Sequence, residues 1–222
     1  MKESESMISK LKKWMPKRVA KMMLILLIVH LSSYYGAKAI IADQTGIFMG
    51  LPVDARIPLM PWTVIIYYGC FLFWLINYTN ILRTEPEGTY RYMCAEILGK
   101  IICFFCYVLI PTVMLRPEVT AEGFFPGIIR MMYSIDPPNA LFPSMHCFVS
   151  WMCVVGMRGK KEFSLRYRIL SVIIAVLVFI STVTTKQHVV IDAFAAVALA
   201  EFTWFVAKFI PVGKKEKSVS DT

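Results

Sequence analysis

Hydrophobic residues run along this chain in long blocks, not in the alternation of a strand or the single stripe of a surface helix. Six blocks stand out, at residues 19–37, 60–81, 93–115, 142–157, 168–185 and 189–210. Most come close to the ~20 apolar residues that a helix needs to cross a bilayer. Helices and closed barrels are the structures that satisfy their own backbone in that setting. The pattern predicts an all-α integral membrane protein built as a six-helix bundle. The fourth block is short. The first follows a basic stretch, and Ala37-Lys38-Ala39 resembles a cleavage site for a signal peptide. A retained first helix completes the six-span arrangement.

Composition agrees with the pattern. Of the 222 residues, 57% are hydrophobic, above the ~45–50% usual in soluble domains. The net charge is +9, but the basic residues lie between apolar blocks and are not interleaved with aromatic stacking platforms. This excludes nucleic acid as a partner and points to the bilayer itself. If the N-terminus is cytoplasmic, all the Lys and Arg except Lys38, Arg56, Arg116, Arg130 and Lys186 fall on the cytoplasmic side. That bias places both termini inside.

Three regions follow from this reading. Residues 1–18 form a basic interfacial segment, with Met7, Ile8, Leu11, Trp14 and Met15 on one helical face; a disordered basic tail is the other reading of this stretch. Residues 19–211 form the membrane domain, and 212–222 a basic cytoplasmic tail. The six cysteines all sit in or beside apolar blocks. The Cys103-x-x-Cys106 pair lacks polar company and reads as two small hydrophobes.

Two short segments carry candidate chemistry. One is Pro143-Ser144-Met145-His146, and the other is His188-Val189-Val190-Ile191-Asp192. His188 and Asp192 are one helical turn apart, so they share a face. A carboxylate there fixes one imidazole nitrogen and frees the other as base or nucleophile. The same pair also suits a packed polar contact or a metal. Pro143 and Ser144 begin a helix, whose first N–H groups favour an anion, and His146 beside them suits a general acid or a plain surface histidine. Arg116 ends the third block, where it suits a phosphate clamp or an interfacial anchor. Lys186 poses the same choice. Under the cytoplasmic-termini orientation these residues share the outer interface. Asp136, Glu118 and Glu122 read as solvated loop residues, His30 as a packed polar residue, and Glu96 with Lys100 as a local ion pair.

The ordered set Arg116-Pro117, Pro143-Ser144-x-His146 and His188-x-x-x-Asp192 resembles the type-2 phosphatidic acid phosphatase superfamily over roughly residues 95–210. That superfamily includes lipid phosphate phosphatases, sphingomyelin and inositol phosphorylceramide synthases, and vanadium haloperoxidases. The resemblance implies that His188 attacks phosphorus, Asp192 orients it and His146 protonates the leaving alkoxide. It implies that Arg116 and Ser144 hold the phosphoryl oxygens, with no metal or other cofactor. Lys186 is a candidate for the same duty. It further implies a lipid phosphate substrate and an extracytoplasmic site in a bacterial plasma membrane. Three positions depart from the phosphatase pattern: Leu109 and Thr182 replace cations, and Met145 replaces a glycine. This reduced pattern leans toward the synthase branch, so lipid phosphotransfer is the alternative to hydrolysis. A lipid-binding transporter or scaffold is the non-catalytic alternative.

Overall fold

A computed structural model describes residues 13–41 and 44–211. The expected interfacial segment up to residue 12 and the basic tail from residue 212 lie outside the described residues. Those described are all helical, with isolated bridges and no strands. Helix α1 spans Lys17–Ile41, α2 Pro52–Arg56, α3 Val64–Leu82, α4 Pro86–Leu109, α5 Phe124–Ile135, α6 Met145–Val155, α7 Leu165–Thr184 and α8 Val190–Val206. A 3-10 turn, Pro61–Thr63, leads into α3. Four elements are long and apolar enough to cross a membrane: Lys17–Ile41, Pro61–Leu82, Pro86–Leu109 and Leu165–Thr184.

The other two predicted spans take shorter forms. The block at 142–157 yields an 11-residue helix, about 16 Å long at 1.5 Å per residue. Eight of its residues are buried, Met145, Cys147 and Phe148 among them. It is the central strut of the bundle, packed against α3, α4, α7 and α8. The last block yields α8, of 17 residues. The third block is shifted: its helix begins at Pro86, a residue suited to a first turn, and stops at Leu109. Pro111 explains the stop, because the residue before a proline is forced out of helical geometry. Arg116 consequently lies in a loop seven residues past the helix end. Beyond it, the expected outer loop folds into α5, whose Ile129 and Met132 bury against Val64 and Tyr67 of α3.

Close packing comes from small residues at helix contacts. Ala175, Ala196 and Ala200 are wholly buried. A Cβ on Gly99 would meet the Phe148 ring at 2.1 Å, so the approach of α4 to α6 depends on that glycine. Between the helices lies a buried ion pair, Glu96 Oε2 to Lys100 Nζ at 2.9 Å. Tyr78 and Tyr92 both donate to Glu96 Oε1. Lys100 also donates to Leu26 O at 3.3 Å, which ties α1 to α4. The sequence reading of a local pair is correct, and the pair proves to be a hub.

The loops at one end are stitched by extended backbone. Ile47 N donates to Pro111 O and Val113 N to Ile47 O, at 2.8 and 3.0 Å. Met114 N donates to Pro138 O at 3.0 Å, and Thr112 Oγ1 accepts from Leu141 N and Phe142 N. These bonds hold the α4–α5 and α5–α6 connections as one layer over the bundle end.

Removing one member of the buried pair should be costly. Lys100→Met is expected to destabilise the protein by about 3–5 kcal/mol, because it strands a buried carboxylate. The double change Glu96→Gln with Lys100→Met should recover most of that loss. Unfolding of the purified protein in mixed micelles checks both.

Candidate active site

The site is assembled from two helix starts that meet. Ser144 N donates to Asp192 O at 3.1 Å, joining the segment before α6 to the first turn of α8. Ser144 caps α6, its Oγ accepting from Cys147 N at 3.3 Å. Tyr107 of α4 braces the same segment by donating to Pro143 O at 2.8 Å. His146 follows in the first turn of α6.

His188 is positioned by a tight turn. Gln187 N and His188 N both donate to Thr182 O, at 3.0 and 3.1 Å, folding residues 185–189 back onto the end of α7. Lys186 adopts a left-handed backbone, with φ 55°, uncommon for a residue with a Cβ. Its ammonium group donates to Asp54 O at 3.1 Å and Ile57 O at 2.5 Å. Asp54 itself is buried; its Oδ1 accepts from Val190 N at 2.8 Å and its Oδ2 from Leu51 N at 2.7 Å. The α2 segment therefore buttresses the start of α8.

Asp192 serves two donors with one oxygen. Its Oδ2 accepts from Val189 N at 3.1 Å and from His188 Nδ1 at 3.1 Å. A carboxylate can only accept, so Nδ1 carries the proton and Nε2 keeps a free lone pair. The His188 and His146 rings stand 6.2 Å apart, centroid to centroid. His146 is held by rings: Tyr67 at 4.5 Å, Trp74 at 5.5 Å and Phe71 at 6.1 Å. Both histidines line one cavity of about 450 Å³. His30, Tyr34 and Lys38 of α1 form one wall, Tyr67, Tyr68 and Phe71 of α3 another. Asp136 and Gln187 also line it.

The expected phosphate-holding residues fare differently. His188, Asp192 and His146 come together. Ser144 is fully buried with its hydroxyl committed to the cap, so it does not line the cavity. Lys186 points away to the α2 carbonyls, because its left-handed backbone turns it off the His188 side. Arg116 stands one layer behind the cavity wall. Its Nη1 donates to Asp136 O at 2.6 Å and its Nη2 to Gln187 Oε1 at 2.7 Å. Its guanidinium lies 4.5 Å from the Tyr133 ring centre. Among the described residues no cluster of three His, Cys, Asp or Glu is placed to hold a metal ion.

Asp136 is not simply solvated, as its loop position suggested. Tyr34 donates to it at 2.7 Å, and Lys38 forms an ion pair with the same oxygen. Partial burial pushes its carboxyl up, but the hydrogen bond and charge of Lys38, with Tyr34 and Arg116, hold it below the usual carboxylate range. Burial raises the Tyr133 hydroxyl to about 12, against the opposing pull of Arg116. Lys38, Asp136, Gln187 and Asp54 were not singled out from sequence as site residues. Gln187 had a signal, a polar side chain beside His188 in an apolar setting. Lys38 and Asp136 lie 98 residues apart and only the fold joins them.

No known protein family, no curated protein and no solved structure matches this chain.

The Asp136 pair sets a pH dependence with a definite sign. A carboxyl lowered on folding contributes stability that is complete above its unfolded value near 3.8 and is lost as pH falls through the lower folded value. Asp136→Asn removes this contribution. Thermal unfolding in detergent between about pH 6 and pH 3 should show the wild-type midpoint falling further than that of the variant.

Proposed function

We propose that this chain is a membrane-embedded lipid phosphate phosphatase of the type-2 phosphatidic acid phosphatase kind, working through a phosphohistidine. The observation that carries the reading is the pair of imidazoles facing each other across one cavity, 6.2 Å apart, one of them fixed by Asp192. A reacting phosphorus has to sit about 3–3.5 Å from its nucleophile. The leaving oxygen has to lie about 2.6–3.2 Å from the acid. Two rings at this separation can both serve one phosphoryl group.

The steps follow from the protonation pattern. The Nε2 lone pair of His188 attacks phosphorus while the bond to the lipid oxygen breaks. His146, entering as imidazolium, gives its proton to that oxygen, and the lipid alcohol leaves. Water then attacks the phosphohistidine, His146 takes a proton from it, and the P–N bond breaks to release phosphate. Asp192 balances the charge that develops on His188. Met145 and His146, at the first two positions of α6, have N–H groups without intrahelical partners, which suits a phosphoryl oxygen.

A lipid substrate is supported by the cavity's flank. Leu31 and Tyr35 of α1, Tyr68 and Phe71 of α3, and Ile135 of α5 line it and are also exposed on the outer surface. An acyl chain can occupy that side while the head group reaches the histidines. In this reading α6 and α8 join the four long helices as a six-helix bundle. The basic-residue bias supports both termini in the cytoplasm and the cavity on the extracytoplasmic side, in the bacterial plasma membrane that the resemblance implies.

The test is turnover of a panel of labelled lipid phosphates by purified protein, with and without diacylglycerol or ceramide and with chelator added. Labelled orthophosphate is the expected product; a new labelled lipid in its place would make the enzyme a phosphotransferase. His188→Ala should lower turnover by at least about 10³-fold, and His146→Ala by about 10²–10⁴-fold. If His188→Ala processes every substrate at the wild-type rate, the protein is a lipid-binding transporter or scaffold instead.

A further inference from the structure

Arg116 lies within reach of the site but does not touch the cavity, and the residue between them is Gln187. Gln187 is only 2% exposed and lines the cavity beside His188. Its Oε1 accepts from Arg116 Nη2 at 2.7 Å. A guanidinium has donors only, so the amide oxygen must face Arg116 and the NH2 group must face away. That Nε2 is buried and has no hydrogen-bond partner. Buried amide donors are rarely left unpaired, because stripping water from one without replacing it is unfavourable. An unpaired donor next to the proposed nucleophile, held in orientation by a half-buried arginine, is what a preorganised anion site requires.

We infer that the Gln187 side-chain amide donates a hydrogen bond to a non-bridging oxygen of the phosphoryl group. Arg116 acts through Gln187, as a positioning residue, by holding the amide oxygen. This rests on the phosphoryl-transfer reading above and adds a side-chain donor to the α6 N–H groups that meet the phosphoryl oxygens. Arg116 cannot take that contact itself without giving up Asp136 O and Gln187 Oε1, the two acceptors that hold its guanidinium. The chain also carries Leu109 and Thr182 where the resembled pattern has cations, so an oriented neutral donor fills part of the gap.

Gln187→Glu is the decisive variant, since it keeps the shape and the Arg116 contact but replaces the NH2 donor with an acceptor oxygen. Expected results are a loss in kcat/KM of about 10²–10³-fold, a weakening of inhibition by orthovanadate of at least about 10-fold, and an unfolding midpoint no lower than wild type. Gln187→Ala should show the same kinetic losses. Arg116→Ala alone should lower turnover at least about 10-fold, but by less than about 3-fold when added to Gln187→Ala, because both changes remove one interaction. Gln187→Glu within about 3-fold of wild type in turnover and vanadate inhibition, with His188→Ala inactive, overturns this inference and leaves the phosphatase reading intact. Equal losses from Arg116→Ala in both backgrounds overturn the positioning role. If His188→Ala is as active as wild type, both readings fall together.

Discussion

The site hangs on Asp192. Its backbone oxygen accepts from Ser144 N, and its carboxylate accepts from His188 Nδ1 and Val189 N. One residue in the first turn of α8 thus fixes the segment that launches α6 and also the His188 ring. These bonds are buried, where competing water is absent and an unmade bond is expensive. The rest of the bundle serves this junction. Asp54 holds the α8 start from one side through Val190 N, and Tyr107 holds Pro143 from the other. The two histidines reach a common cavity because their helices are joined at the backbone, not because the side chains attract each other.

Charge is placed with the same economy. Glu96 with Lys100, and Asp136 with Lys38, are paired ions in surroundings that disfavour isolated ones. Each pair links elements distant in sequence: α1 with α4 through Leu26 O, and α1 with the α5 end through Asp136. A network that ties helices together in this way raises the cost of any rearrangement that separates them. It also leaves few uncommitted charges near His188. Arg116 and Lys186 are both bound to protein oxygens, so the positive field that a phosphoryl group would meet is largely indirect.

What could be read from the sequence follows the range of the interactions. His188 and Asp192 were legible as a pair because one helical turn separates them. The company of His146 came from the shared interface that the basic-residue bias implied and from the resemblance, since no local rule brings residue 146 to residue 188. The 142–157 block looked like a span because hydrophobicity cannot separate a short buried helix from a crossing one. Helix α5 was passed over behind Gly123 and Pro126, although Phe125, Ile128, Ile129 and Met132 carry a helical period. The misplacement of Lys186 has a purely conformational cause: a left-handed φ is not visible in residue type when the residue is lysine. Arg116, expected in contact with the phosphoryl group, does not line the cavity, because Gln187 occupies the intervening layer.

The shortness of α6 has a consequence for where chemistry takes place. At its far end the chain is pinned by Arg158, which donates to both carboxylate oxygens of Glu201 at 2.5 and 2.6 Å. A helix of about 16 Å is shorter than α1, of 25 residues, and α3, of 19, and does not match their full length. His146 is therefore sunken: it packs on Trp74, eleven residues into α3, and shares its cavity with His30, midway along α1. Lys38 and His30, which both line the cavity, are eight residues apart on one helix, or about 12 Å. Along that distance the cavity has tyrosines on both walls, Tyr34 and Tyr35 of α1 and Tyr67 and Tyr68 of α3, which offer hydroxyl tips without adding charge. In such a setting oriented dipoles count for more than they would at an open surface, which is the condition under which the proposed contact from the buried Gln187 amide would stand in for part of a cationic clamp.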